Sequence, residues 1–159
     1  MTLVAPADLP SGRLLALDLG QARTGVAACD ELGMLAAPLT VLRRHPTRAA
    51  DFAEIAELAR RERVAGVLVG LPLDSEGQVG PQARWVRRYA GRLAGALPIP
   101  LAFWDESFTS EDAARLVRES GGRTPLDAAA AAVILGDYLE ARRQPALVPP
   151  RGPGKMEGS

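Results

Sequence analysis

Asp18 stands inside an apolar run, Leu14-Leu15-Ala16-Leu17-Asp18-Leu19, where an ionised carboxylate is costly unless it is paired, hydrogen-bonded or bound to a metal. A strand has no need of such a residue, although an Asp can also serve only to end a strand before a turn such as that at Gly20. Asp105 and Glu106 directly follow a second short apolar run, residues 101–104, and so lie at a strand end, where open sheets place ligands. Strand side chains alternate between faces, so only one of the two reaches the Asp18 side; a polar strand exit before a Thr109 or Ser110 cap is the plainer alternative. Asp127 follows Thr124 and Pro125 as the third residue of a helix, a place that capping and the helix dipole explain by themselves. The five alanines after it, residues 128–132, give that helix a smooth surface on which it can approach the sheet and carry the carboxylate to the strand ends. Three carboxylates converging on one edge make an all-oxygen site suited to Mg²⁺ or Mn²⁺. Two such ions about 4 Å apart can generate hydroxide, bind phosphate oxygens and stabilise the leaving alkoxide of an in-line attack. Phosphodiester hydrolysis is the reaction that suits this set.

The elements that must position these groups follow from hydrophobic pattern. Residues 13–19, 25–29 and 34–42 read as three closely spaced strands, an antiparallel meander. Phe52, Ile55, Ala56, Leu58 and Ala59 recur at helical spacing in a segment ending near Arg63, and 64–69 is a continuous aliphatic run suited to a buried parallel strand. A helix is expected over 81–97, a strand over 101–104, a helix from Thr109 or Ser110 to about Glu119, and a helix from Leu126 to Arg143. The order predicts one α/β domain over 13–143, with a mixed sheet, helices on both faces and the Asp18 strand in its middle. Residues 1–12 read as a flexible lead-in and 144–159, rich in Pro and Gly, as a disordered tail.

Composition removes several classes of function. A chain of 159 residues suits one domain, and 47% hydrophobic residues with only 4% aromatic suit a core of aliphatic side chains and alanine. One cysteine, Cys29, and one histidine, His45, cannot make an intramolecular disulfide or a zinc site of the usual kind. No apolar run is long enough for a membrane span and no export signal is present, so a cytoplasmic protein is expected. Nineteen basic and nineteen acidic residues cancel, which excludes a broadly cationic nucleic-acid binder and leaves only a local patch. Arg84, Arg88 and Arg92, at i+4 spacing with Arg87 beside them, form a stripe that can follow a phosphate backbone or be a solvated helix face. Trp85 and Tyr89, one turn apart, suit base stacking or, more commonly, packing; Arg23 suits a phosphate contact or a surface turn. The loop from Leu71 to Gly80 is placed where substrate loops belong.

Four ordered blocks also resemble the YqgF/RuvX family of Holliday-junction-resolvase-like nucleases. They are Ala16-Leu17-Asp18-Leu19-Gly20 with Arg23, Gly25 and Ala27; Val69-Gly70-Leu71-Pro72-Leu73 with Gly77, Gly80 and Ala83; Asp105-Glu106 with Thr109; and Leu126-Asp127-Ala128 with Ala130, Ala131, Ile134, Leu135, Tyr138 and Leu139. The resemblance spans nearly all of residues 14–140. It implies a ribonuclease H-like fold, with a five-stranded mixed sheet whose first three strands are antiparallel and helices on both faces. It also implies a metal-dependent nuclease that processes the pre-16S ribosomal RNA precursor, with relatives acting on four-way DNA junctions. Asp18, Glu106 and Asp127 then become the metal-binding carboxylates, with Asp105 as the substitute for Glu106. Two departures bear on substrate contacts: Ser107 and Thr124-Pro125 stand where the family usually has basic residues, and Ala130 stands where junction resolvases carry a further carboxylate.

The expected partners are nucleic acid, as precursor rRNA or a four-way DNA junction, and ribosomal particles, with the chain a monomer or homodimer. Two other classes compete. A ribosome assembly factor that binds RNA without cutting it is favoured by the missing basic residues. An actin-like ATP-binding domain shares the loop from Asp18 to Gly25, but places nucleotide between two domains where this chain has residues for one.

Overall fold

The computed structural model describes residues 3–106 and 110–143, so the expected Thr109 cap and the 144–159 tail lie outside the described residues. Five strands, β1 (Leu14–Leu19), β2 (Arg23–Cys29), β3 (Ala36–Arg43), β4 (Gly66–Pro72) and β5 (Leu101–Glu106), form one sheet in the order β3-β2-β1-β4-β5. β1 pairs antiparallel with β2 and parallel with β4, β2 pairs antiparallel with β3, and β4 pairs parallel with β5. The expected meander therefore forms, and the Asp18 strand is central. Among the described residues no helix is long and apolar enough to cross a membrane.

Alternation along β1 divides the core. Leu15, Leu17 and Leu19 face α1 (Arg48–Arg61) and α2 (Pro81–Ala96), while Leu14 and Ala16 face α4 (Leu126–Arg143), on which α3 (Ser110–Glu119) packs. α1 begins where the Thr47 hydroxyl accepts from the Ala50 amide at 3.2 Å, and α2 begins with Pro81 in its first turn. α2 buries one stripe, including Ala83, Val86, Ala90 and Leu93. α4 is different: Ala128 to Ala132, Ile134, Leu135, Tyr138 and Leu139 are all buried, so it is held between the sheet and α3.

α4 lies unusually close to the sheet, and two glycines permit it. A Cβ on Gly25 of β2 would come within 1.9 Å of the Asp127 carbonyl oxygen, and one on Gly70 of β4 within 2.5 Å of Ile134 Cδ1. The first of these contacts is backbone against backbone and cannot be relieved by a rotamer change.

The structure extends two strands beyond their expected ends. β4 runs to Pro72 and β5 to Glu106, because Leu71 pairs with Asp105 and Pro72 with Glu106 in parallel register. β3 starts at Ala36, later than expected, because Asp30 Oδ1 accepts from the Met34 and Leu35 amides and holds them in a turn. Ahead of β1, the expected flexible lead-in makes docking contacts over residues 3–12. Leu3 bridges to Leu101, the Val4 amide donates to the Leu101 carbonyl at 2.9 Å and Leu9 is buried. Tyr138 and Arg142 of α4 donate to the carbonyls of Pro6, Leu9 and Pro10.

Gly25→Ala should therefore destabilise the chain by about 3 kcal/mol or more, because α4 must move off the sheet. Gly91→Ala, on the exposed side of α2 with nothing within 4 Å of its Cβ, should be neutral or stabilise by up to ~1 kcal/mol. Denaturant unfolding of both variants checks the contrast.

Candidate active site

Asp18 belongs to the α4 face, with Leu14 and Ala16, and its strand partner across β2 is Gly25. The same Gly25 admits the first turn of α4, so Asp127 is brought beside Asp18. The Pro125 carbonyl accepts from the Ala129 amide at 3.0 Å, which places Asp127 in the first turn, where the helix dipole favours a carboxylate. Arg23, at the start of β2, donates from Nε to Asp127 Oδ2 at 2.8 Å. Burial, and then the negative charge of Asp127, push Asp18 up to about 6.

β5 puts Asp105 and Glu106 on opposite faces of the sheet. Ala102 and Trp104 face α4, so Glu106 follows them to the Asp18 side, and Asp105 is exposed and turned away. Glu106 is only 9% exposed, and its Oε2 meets no donor among the described residues. Burial pushes its carboxyl up to about 8; a hydrogen bond with Asp137 of α4, the charge of Asp137 and then that of Asp112 add to this. A hydrogen bond between two carboxyls requires a proton within the pair, which accords with the upward direction at Glu106.

The three expected carboxylates thus do not form one cluster. Among the described residues no group of three or more His, Cys, Asp and Glu side chains is assembled for a metal. The acids form two pairs on one face of the sheet, Asp18 with Asp127 and Glu106 with Asp137. The reason is topological: β4 runs between β1 and β5, which sets those strands roughly 10 Å apart, and Ile134 of α4 sits on Gly70 of β4. Both pairs offer only carboxylate oxygens, the donor type of a hard divalent cation. An acid raised by burial and by the acid facing it, and a buried oxygen without a donor, are the electrostatic conditions that a cation relieves. Cys29 is elsewhere, accepting from the Leu14 amide, and His45 pairs with Glu54 at 2.7 Å.

Arg84, Arg88 and Arg92 are exposed on α2, across the sheet from the carboxylates. α2 leads back from the end of β4, so Arg84 is nearest the strand ends and each later arginine is about 6 Å farther along the helix. None of the three, nor Arg87, makes an ion pair among the described residues, and α2 contains no acid. Arginines on α1, α3 and α4 do pair with acids of their own helix: Arg60 with Glu57, Arg115 with Asp112 and Arg143 with Glu140. Trp85 and Tyr89 are packing residues. Tyr89 is fully buried, stacks on Trp85 at 5.4 Å, meets Phe52 edge-on and donates its hydroxyl to Asp51 at 3.2 Å. The loop after β4 is an ordered turn in which Asp74 Oδ1 accepts from the Glu76 and Gln78 amides.

Sequence reasoning missed Asp137 and a buried knot around Asp51. Asp137 is ten residues beyond Asp127, off its helical stripe, and the only signal was one acid within the otherwise uncharged stretch 128–139. Asp51 accepts from Arg44 Nε at 2.6 Å, from the His45 amide at 2.6 Å and from Tyr89. Arg44 also lies over the Tyr89 ring and donates to the Gly20 carbonyl at 3.1 Å, two residues beyond Asp18.

The raised acids set the sign of a pH effect. Folded Glu106 keeps a proton that the unfolded chain loses near 4.5, so this contribution is complete below that pH and is lost as pH rises to about 8. In EDTA, the chain should lose stability between pH 5 and 8, and Glu106→Gln should flatten that slope and melt higher than the parent at pH 8. Thermal melts across this range check it.

The profile described as RuvX: Holliday junction resolvase matches residues 12–141. A protein of Chloroflexus aurantiacus (strain ATCC 29366 / DSM 635 / J-10-fl), named "Putative pre-16S rRNA nuclease", is 43% identical over 135 residues, covering 82% of this chain and 88% of that protein. One of the same name from Anaeromyxobacter sp. (strain Fw109-5) is also 43% identical over 135 residues, covering 82% of this chain and 98% of its own. Among solved structures, T. thermophilus RuvC in complex with Holliday junction substrate aligns over 84% of this chain and 96% of that one. Its TM-score is 0.58 at 19% identity, a likeness of fold. With the profile covering the sheet and all four helices, and such relatives aligned along most of their length, the chain belongs to the RuvX family.

Proposed function

We propose that the chain is a divalent-metal-dependent endonuclease that hydrolyses phosphodiester bonds in structured nucleic acid, with pre-16S rRNA on ribosomal particles as the first candidate substrate and a four-way DNA junction as the second. The observation that carries this is the placement of Asp18 on the central strand, half-buried and facing Asp127, on the same side of the sheet as Glu106. The relatives' name supports the RNA substrate, and the family description supports the junction.

Asp18 and Asp127 would hold a Mg²⁺ or Mn²⁺ ion, and a two-ion arrangement would draw on Glu106 as well. Such an ion supplies Lewis-acid polarisation of the phosphate and a water of lowered pKa. The protein's own residues do the rest. Gly25 lets the Asp127 carboxylate reach Asp18, in the first turn of α4 where the helix dipole favours negative charge. Glu106, protonated at neutral pH beside Asp137, can give up its proton when positive charge arrives. The unpaired arginines of α2 hold backbone phosphates at a distance from the acids, and their guanidinium groups allow bidentate contacts.

The test is cleavage of precursor rRNA and of a four-way junction, side by side, with Mg²⁺ and with Mn²⁺. The wild-type chain should cut at least one, EDTA should stop it, and Asp18→Asn should lose about a hundredfold or more, since even outer-shell partners of a metal are worth ten- to hundredfold. Undiminished cleavage of both substrates by Asp18→Asn would sink the assignment. The separation of the acids into two pairs favours one second reading, an assembly factor that binds RNA without cutting it. RNA binding that survives loss of all three carboxylates, with no cleavage, would establish that reading instead.

A further inference from the structure

Arg23 is over half exposed, yet one of its nitrogens is committed: Nε donates to Asp127 Oδ2 at 2.8 Å, while Nη1 and Nη2 have no partner among the described residues. Its backbone is pinned. The Arg23 carbonyl accepts from the Gly20 amide at 2.9 Å, the residue pairs with Arg43 of β3, and the Ala22 carbonyl accepts from the Arg44 amide at 3.1 Å. Arg44 fixes the other side of the same turn through the Gly20 carbonyl. Only the far part of the Arg23 side chain is thus free to change partners, and it does so beside two acids that oppose each other. The guanidinium supplies at Asp127 the positive charge that a divalent ion would otherwise supply.

We infer that Arg23 is an internal counter-cation that occupies Asp127 in the metal-free protein and moves to a backbone phosphate when nucleic acid binds, which frees Asp127 for the metal. This rests on the metal site proposed above. Its consequence is cooperativity: phosphate and metal each remove the competitor of the other, and by linkage the effect is reciprocal. The departure of Arg23 also removes a cation from the neighbourhood of the incoming one. The arrangement favours a loaded site when substrate is present and a closed ion pair when it is absent.

The experiment measures Mn²⁺ affinity by calorimetry, without nucleic acid, for the wild type, Arg23→Gln, Arg23→Lys and Arg43→Gln. Arg23→Gln should bind Mn²⁺ roughly three- to tenfold more tightly than wild type, the range expected on removing an exposed ion pair and its charge. Arg23→Lys should lie between them. Arg43, the cross-strand neighbour, is exposed and pairs with no acid among the described residues, so Arg43→Gln should stay within about twofold of wild type. In a second measurement, anisotropy of a labelled RNA duplex in EDTA, Arg23→Gln should lower the slope of log affinity against log salt by about one, as loss of one phosphate contact requires. The inference is overturned if Arg23→Gln binds Mn²⁺ no more tightly than wild type, if Arg43→Gln gains as much, or if the salt slope is unchanged. Absence of Mn²⁺ binding to every protein, wild type included, would overturn the metal reading itself and this inference with it.

Discussion

The contact on which the structure depends is that of α4 with β2 at Gly25, where a helix backbone touches a strand backbone with no side chain between them. Few packings of a helix on a sheet are so close, since the usual spacing is set by side chains on both surfaces. Here the helix contributes alanines and the sheet contributes glycine at the point of contact. Asp18 and Gly25 are opposite one another, so the place where the helix can come closest is also where the acid is. Burial, charge repulsion and the Arg23 ion pair all follow from that coincidence.

The second acid pair is held by different means. Glu106 is pushed into the α4 face by strand alternation, and its carboxyl is buried with Asp137 beside it. Ile134 on Gly70 stands in the row between the pairs, so the face has two separate electrostatic compartments. Asp18 retains partial contact with solvent, whereas Glu106 is kept neutral at ordinary pH by its surroundings. Two carboxylates of similar intrinsic acidity are thereby raised to different extents by burial and neighbours alone.

Much of this was legible in the chain. Asp18 announced itself because an apolar strand has no use for an acid, and the central place of its strand followed from a three-strand meander and a later buried parallel strand. The choice of Glu106 over Asp105 was not legible, because it depends on how far β5 continues, and that is decided by pairing with Leu71 and Pro72 more than thirty residues earlier in the chain. Asp137 lacked a periodic signal, and its relation to Glu106 exists only once α4 crosses the sheet. The docking of residues 3–12 was hidden for a similar reason: Leu9 reads as one apolar residue among turn formers until the ends of β5 and α4 give it a place. Periodicity reports what faces the core; it does not report which two elements meet there.

The unpaired arginines of α2 and the acids beside α4 are on opposite sides of one sheet in a chain whose formal charges sum to +0. A molecule without net charge exerts no long-range pull on a polyanion, but separated charge still produces a torque within about a Debye length, roughly 8 to 10 Å. Encounter with nucleic acid would then be governed by orientation more than by attraction. If the α2 arginines hold the backbone, as proposed, it would meet the guanidinium side first and would reach the carboxylate edge over the ends of β1 and β4. Such a geometry would favour substrates that bend or branch over a straight duplex, before any base is read.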